Sequence, residues 1–149
     1  MIFKNKNNFL KNCSNGKLIA LDVGTKTIGV AMTDDKRLLC LLVETILRKG
    51  NKKDFQILLN IFKEKKITGI IIGLPISFDG NDNDISNFIR RFTDNLSKET
   101  DIPIVFEDER LSSFVAEDLM LDEIGSNKTK KVVDKIAASY ILESFLNNK

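Results

Sequence analysis

Three groups of residues have side chains that could do chemistry. Asp22 stands near the end of an otherwise apolar run, Leu18-Ile19-Ala20-Leu21. A carboxylate carried into such surroundings without partners costs on the order of several kcal/mol, so it calls for a cation or several donors. Glu107-Asp108-Glu109-Arg110 follows directly on the apolar stretch 102–106, and Asp134 lies among Lys128, Lys130, Lys131 and Lys135. Each group also has an ordinary structural explanation. Asp22 can cap the Gly24–Thr25 turn, the four charges can be a solvated strand end, and Asp134 can complement a helix dipole for a few tenths to about 1 kcal/mol. Taken together they offer oxygen ligands to a hard divalent cation, Mg²⁺ or Mn²⁺, and the chemistry such a site supports is phosphodiester hydrolysis.

The elements that must position these residues follow from apolar periodicity. LIALDVG (18–24) reads as a strand buried on both faces; IGVAMTD (28–34) and LLCLLVETI (38–46) follow after short connections, as in an antiparallel meander. Phe55, Leu58, Leu59 and Phe62, with Asp54 near the start, mark an amphipathic helix; TGIIIG (68–73) is the fourth strand. Ile85, Phe88, Ile89, Phe92 and Leu96 give a second helix, and IPIVFED (102–108) the fifth strand. Ser112 or Ser113 can cap a third helix carrying Phe114, Val115, Leu119 and Met120. Val133, Ile136, Ala137, Tyr140, Ile141 and Phe145 define the last one.

This succession predicts one α/β domain over 17–149, preceded by a polar, flexible extension over 1–16 whose Phe3, Phe9 and Leu10 are too sparse for a core face. Right-handed crossovers set the five-stranded mixed sheet in the order 3-2-1-4-5, with helices on both faces. Strands one, four and five are then parallel, and their C-terminal ends open on one edge, where α/β sheets place ligand crevices. Asp22 and the end of the fifth strand would stand about 10 Å apart, two strand spacings, with only Gly73 between them. Carboxylates on each could reach inward and share one or two ions.

The segments L-D-V-G-T-K-T-I-G-V-A (21–31), I-I-G-L-P-I-S-F-D-G (71–80), E-D-E-R-L-S-S (107–113) with Ala116, and K-V-V-D-K-I-A-A-S-Y-I-L-E-S-F-L (131–146) occur in this order. Together they resemble the YqgF/RuvX family of Holliday-junction-resolvase-like proteins, over nearly everything after residue 17. The resemblance implies a ribonuclease H-like fold and a nuclease of 5′-end maturation of the 16S ribosomal RNA precursor; resolution of branched DNA is the alternative. Carried over by position, the catalytic and metal-holding residues are Asp22, Glu109 and Asp134, with Asp108 a substitute ligand. The family pattern does not settle which carboxylate of 107–109 is the ligand, because Glu107 is acidic here as well. Thr25, Lys26, Arg110, Lys128, Lys130 and Lys131 would hold phosphates, and the Leu74-Pro75 turn and Phe78-Asp79-Gly80 loop would flank the crevice. The expected partners are nucleic acid, an rRNA precursor ahead of branched DNA, and the small ribosomal subunit, met by a monomer or weak homodimer.

Composition bounds these expectations. The net charge of +2 permits a nucleic-acid partner without arguing for one. The chain has no His, and its two cysteines, Cys13 and Cys40, stand far apart. A zinc site or disulfide framework is therefore not expected, and a reducing compartment fits. The start lacks an apolar signal region, and the longest apolar run, 38–43, is six residues. Both point to a cytoplasmic protein without a membrane partner. D-x-G-T-x-x-x-G (22–29) also opens the nucleotide-binding domains of sugar kinases and actin-like ATPases, but those build their cleft between two such domains and this chain supplies one. A nucleic-acid or ribosome-binding module that kept the fold without catalysis is the other alternative.

Overall fold

Strand β2 (Lys17–Val23) alternates its side chains between two separate hydrophobic cores: Ile19, Leu21 and Val23 enter one, Leu18 and Ala20 the other. That alternation is the two-residue period of a strand buried on both faces. The computed structural model describes residues 1–76, 83–108 and 127–147, the last stretch with side chains from 136 onward. In chain order its other elements are β1 (Ile2–Phe3), α1 (Lys6–Asn12), β3 (Thr27–Thr33), β4 (Cys40–Leu47), α2 (Asn51–Glu64), β5 (Ile67–Leu74), α3 (Asp84–Ser97), β6 (Ile104–Asp108) and α4 (Asn127–Asn147).

The sheet runs β1-β6-β5-β2-β3-β4. β2 pairs antiparallel with β3 and parallel with β5, and β5 and β6 are parallel. The five expected strands thus stand in the expected order, and a sixth, β1, adds to the edge by pairing parallel with β6. Helices α2 and α3 cover one face. Phe55, Leu58, Ile61 and Phe62 from α2 meet Ile89, Phe92 and Leu96 from α3, with Phe55 and Phe92 edge to face at 5.2 Å. Helix α3 starts on a capping box: the Asn83 side chain accepts from the Ser86 N–H, and the Asn83 N–H donates to Ser86 Oγ. The Asn83 amide also donates to the Pro75 carbonyl at 3.3 Å, which ties that start to the end of β5.

Helices α1 and α4 cover the other face, and here two expectations are corrected. Residues 1–16 are not devoid of a core face: Phe9 of α1 is fully buried and packs edge to face on Phe145 of α4, centroids 5.6 Å apart. Gly69 makes room for it, since a Cβ there would come within 2.7 Å of Phe9 Cζ, Leu18 Cδ2 and Cys13 Sγ. Lys6 adds a cation over the Phe145 ring and a hydrogen bond to its carbonyl. The stripe of α4 is also turned from the one expected: Ala137, Ala138, Ile141, Leu142 and Phe145 are buried, while Ile136 and Tyr140 are only partly so. The expected helix beginning at Ser112 or Ser113 lies outside the described residues.

Strand β4 closes the far edge. The apolar run 38–43 contributes to it only from Cys40: Leu38 and Leu39 are exposed in the connection before it, and Leu41 and Leu42 are exposed on a strand that, at the edge, is covered from fewer sides. The β3–β4 turn is capped by Asp34, whose carboxylate accepts from the Leu39 and Leu38 N–H groups. Those bonds hold its pKa below the ordinary aspartate value. A depressed folded-state pKa contributes stability above the unfolded value, which is lost as the pH falls through the folded one.

Phe9→Ala is expected to cost about 3–5 kcal/mol, the range for deleting a buried aromatic ring. Equilibrium unfolding in urea measures this. A loss below about 0.5 kcal/mol, ordinary for a surface position, would return residues 1–16 to a dispensable extension.

Candidate functional site

Pairing across the sheet sets five positions in one row. Asp22 pairs with Gly29 of β3, which pairs with Thr45 of β4. On the other side Leu21 pairs with Ile72, so the next residues in register are Asp22 and Gly73, and Gly73 pairs with Glu107 of β6. By strand alternation the row faces α4, as do Ala20 and Leu18, two and four positions before Asp22. Asp22 is partly buried, and a glycine stands on each side of it. Nothing on either neighbour can therefore cover its carboxylate from the flank. Glu107 is about 10 Å away along the row, two strand spacings, and accepts from Ser144 Oγ of α4 at 3.1 Å.

Beyond Asp22 the chain turns tightly from β2 into β3. The Gly24 N–H donates to the Thr27 carbonyl at 2.8 Å, and a Cβ on Gly24 would stand 3.1 Å from that same oxygen, tighter than ordinary contact. Thr25 and Lys26, at the tip, are exposed. The turn is held from behind by Arg48, just past β4. Its backbone N–H donates to the Lys26 carbonyl at 2.9 Å, and its Nη1 to the Gly24 carbonyl at 3.1 Å. Its Nε donates to Asp54 Oδ2 at 3.1 Å, and its Nη2 to Asn51 Oδ1 at 2.6 Å. Asp54 is fully buried in the first turn of α2 and also accepts from the Lys49 N–H. The guanidinium lies over Phe88 and Phe92 of α3, at 5.4 and 5.1 Å from their centroids. Sequence reasoning placed Asp54 only as a residue near the start of α2 and missed Arg48. The available signal was a pair of opposite charges flanking the helix start.

The expected site residues fall as follows. Asp22, Thr25 and Lys26 share the end of β2 and its turn. Asp108 pairs with Leu74, which belongs to the core under α2 and α3, and alternation sets it on the opposite face from Asp22 and Glu107. It is exposed at the strand end. Glu107 is the acidic residue of the 107–108 pair that shares the face of Asp22. Glu109 and Arg110 lie outside the described residues, as does the Phe78-Asp79-Gly80 loop. Lys128, Lys130, Lys131 and Asp134 are on α4, with Asp134 one turn before Ala138; their side chains lie outside the described residues. Among the described residues no three His, Cys, Asp or Glu side chains gather as a metal cluster. Asp22 and Glu107 bring carboxylate oxygen to this face, the donor chemistry of a hard cation. No helix among the described residues is long and apolar enough to cross a membrane.

Residues 16–148 match the family model described as "RuvX: Holliday junction resolvase". A protein of Rhodopseudomonas palustris (strain BisA53) named "Putative pre-16S rRNA nuclease" is 43% identical over 133 residues, covering 89% of this chain and 82% of that one. One of Paramagnetospirillum magneticum with the same name is 37% identical over 134 residues, 89% and 86% of the two chains. Among solved structures, Thermus thermophilus RuvC in complex with a Holliday junction substrate superposes with a TM-score of 0.53 at 8% identity, over 87% of this chain and 93% of that one. The fowlpox virus resolvase in complex with Holliday junction DNA gives 0.52 at 12% identity, over 88% and 99%. At such identities the structural likeness speaks for the fold, a ribonuclease H-like sheet with helices on both faces. The sequence matches speak for descent, and by them this chain belongs to the RuvX family.

Proposed function

We propose that this chain is a divalent-metal-dependent nuclease that hydrolyses phosphodiester bonds of the 16S rRNA precursor at its 5′ end, in the cytoplasm. The observation that carries the reading is the placement of Asp22: a carboxylate on the central strand, flanked by two glycines and in one row with Glu107. The names of the relatives support the rRNA substrate. The family description and the junction-bound neighbours keep branched DNA as the second substrate to be tried.

Asp22, Glu109 and Asp134 would hold Mg²⁺ or Mn²⁺, with Asp108 the substitute. When bound, such ions supply an activated water and positive charge against the leaving oxygen. The rest is the work of the chain itself. Thr25 and Lys26, exposed on the turn after Asp22, meet the phosphate next to the scissile bond. Arg110, Lys128, Lys130 and Lys131 bind the backbone further along, by charge and without reading bases. The glycines beside Asp22 put no side chain of their own in the way of an approaching phosphate.

Two outcomes are expected. Asp22→Asn keeps nearly the same side-chain size, so it folds, and it removes mutual repulsion among carboxylates held close. It should abolish cleavage of a precursor-rRNA fragment and of a four-way DNA junction in Mg²⁺ or Mn²⁺, with products mapped at their ends. The wild type should melt higher with added metal, and the variant should lose most of that rise. Cleavage by Asp22→Asn at the wild-type rate would remove Asp22 from the mechanism. RNA binding without metal-dependent melting or cleavage would make the protein a binding module. Replacing Lys130 and Lys131 together by Ala should weaken RNA binding and make the salt dependence shallower by about one to two units in slope. An unchanged slope would return these lysines to an ordinary solvated face.

A further inference from the structure

We propose that Arg48 is a positioning residue for nucleic-acid binding: it fixes the turn that carries Thr25 and Lys26, and so decides where those two side chains meet the phosphate. This rests on the nuclease reading above and adds the device that orients its first phosphate contact.

Arg48 grips the turn at two points. Its backbone N–H takes the Lys26 carbonyl and its Nη1 takes the Gly24 carbonyl. With the Gly24-to-Thr27 hydrogen bond, these close the turn from three directions. The guanidinium cannot swing away. Nε is held by the buried Asp54, Nη2 by Asn51, and its face by the rings of Phe88 and Phe92. Asp54 is itself fixed, because it accepts the Lys49 N–H and sits in the first turn of α2. The turn is thus tied through one side chain to both helices of the α2/α3 face, while Thr25 and Lys26 project into solvent at its tip. A flexible lysine on a loose turn loses entropy when it binds a phosphate; on a fixed turn less is lost. Arg48 touches neither substrate nor metal and acts through the turn.

Removing Arg48 alone would strand the buried Asp54 charge and threaten the fold. The informative variant is therefore Arg48→Met with Asp54→Asn. Met keeps apolar bulk against Phe88 and Phe92, and Asn still accepts from the Lys49 N–H. The assay is equilibrium binding of a single-stranded precursor-rRNA fragment in Ca²⁺, read against salt concentration, with cleavage in Mg²⁺ alongside. The pair should melt cooperatively, bind more weakly, and show a salt slope shallower by about one, the signature of one lost phosphate contact. Lys26→Ala should weaken the wild type by the same amount and do nothing further in the paired variant, because the contact is already gone. A merely structural Arg48 would give independent, additive losses. Should the pair lose its cooperative melt, Arg48→Lys gives the same reading, since it keeps the charge but cannot hold Gly24 and Asp54 at once. Unchanged affinity and slope in the folded variant, or additivity with Lys26→Ala, overturns the inference while leaving the nuclease reading intact. A wild type that neither binds nor cleaves RNA or the DNA junction overturns both.

Discussion

Burial of β2 on both faces is the constraint on which the site depends. A strand covered by helices above and below has no side that tolerates charge, so a carboxylate can stand on it only where the cover ends. Asp22 occupies the last position but one: Leu21 before it is fully buried, and Asp22 itself is partly open. The strand's register then decides which face receives it. A slip of one residue would carry Asp22 into the apolar core beneath α2 and α3, and Leu21 onto the α4 face. Pairing with β3 on one side and β5 on the other holds that register from both edges, which an edge strand could not do.

The two faces around β2 are built from different side chains. Under α2 and α3 the sheet presents Ile19, Leu21, Ile28, Val30, Ile70, Ile72 and Ile104, and the helices answer with phenylalanines and leucines. Under α4 it presents Leu18, Ala20, Ala31, Ile71 and Val105, with Gly29 on β3 and Gly69 and Gly73 on β5, and α4 answers with Ala137, Ala138, Ile141, Leu142 and Phe145. The small residues among them let helix and sheet backbones come close. Two aromatic side chains of this face, Phe9 and Phe145, pack edge to face, with Phe9 seated where Gly69 admits it.

Much of this was legible in the sequence because its physics is local. Short links between consecutive apolar runs force antiparallel neighbours, and helical links force right-handed parallel ones, which together order the five strands. Asp22 announced itself because it violates the pattern of its own strand. The remainder depends on contacts between distant segments. A two-residue strand has no periodicity to detect, and the burial of Phe9 depends on the missing side chain of Gly69. The stretch 136–142 is apolar nearly all round, so only the sheet beneath it could choose Ala138 and Leu142 over Tyr140. Along Glu107-Asp108-Glu109, which carboxylate faces α4 depends on the phase of β6, and that is fixed by pairing with β5.

Arg48 and Asp54 show why such a pair is hard to read and what it does. On paper they are two of many charges around a helix start, and a first-turn aspartate is explained well enough by the helix dipole. Their burial appears only when the end of β4, the first turn of α2 and two aromatic rings of α3 converge. The net gain in stability from a buried ion pair over a well-packed apolar pair is near zero or negative, whereas losing one partner costs about 3–5 kcal/mol. The pair's physical effect is therefore on conformational definition more than on stability. The guanidinium has few alternative places to put its donors, and the Gly24 carbonyl is one of the acceptors they are held against. Asp22 is positioned by the hydrogen-bond ladder of the sheet, and the turn two residues later by this ion pair. The two devices meet at Gly24, so the carboxylate and the exposed tip are held in one frame although different forces hold them.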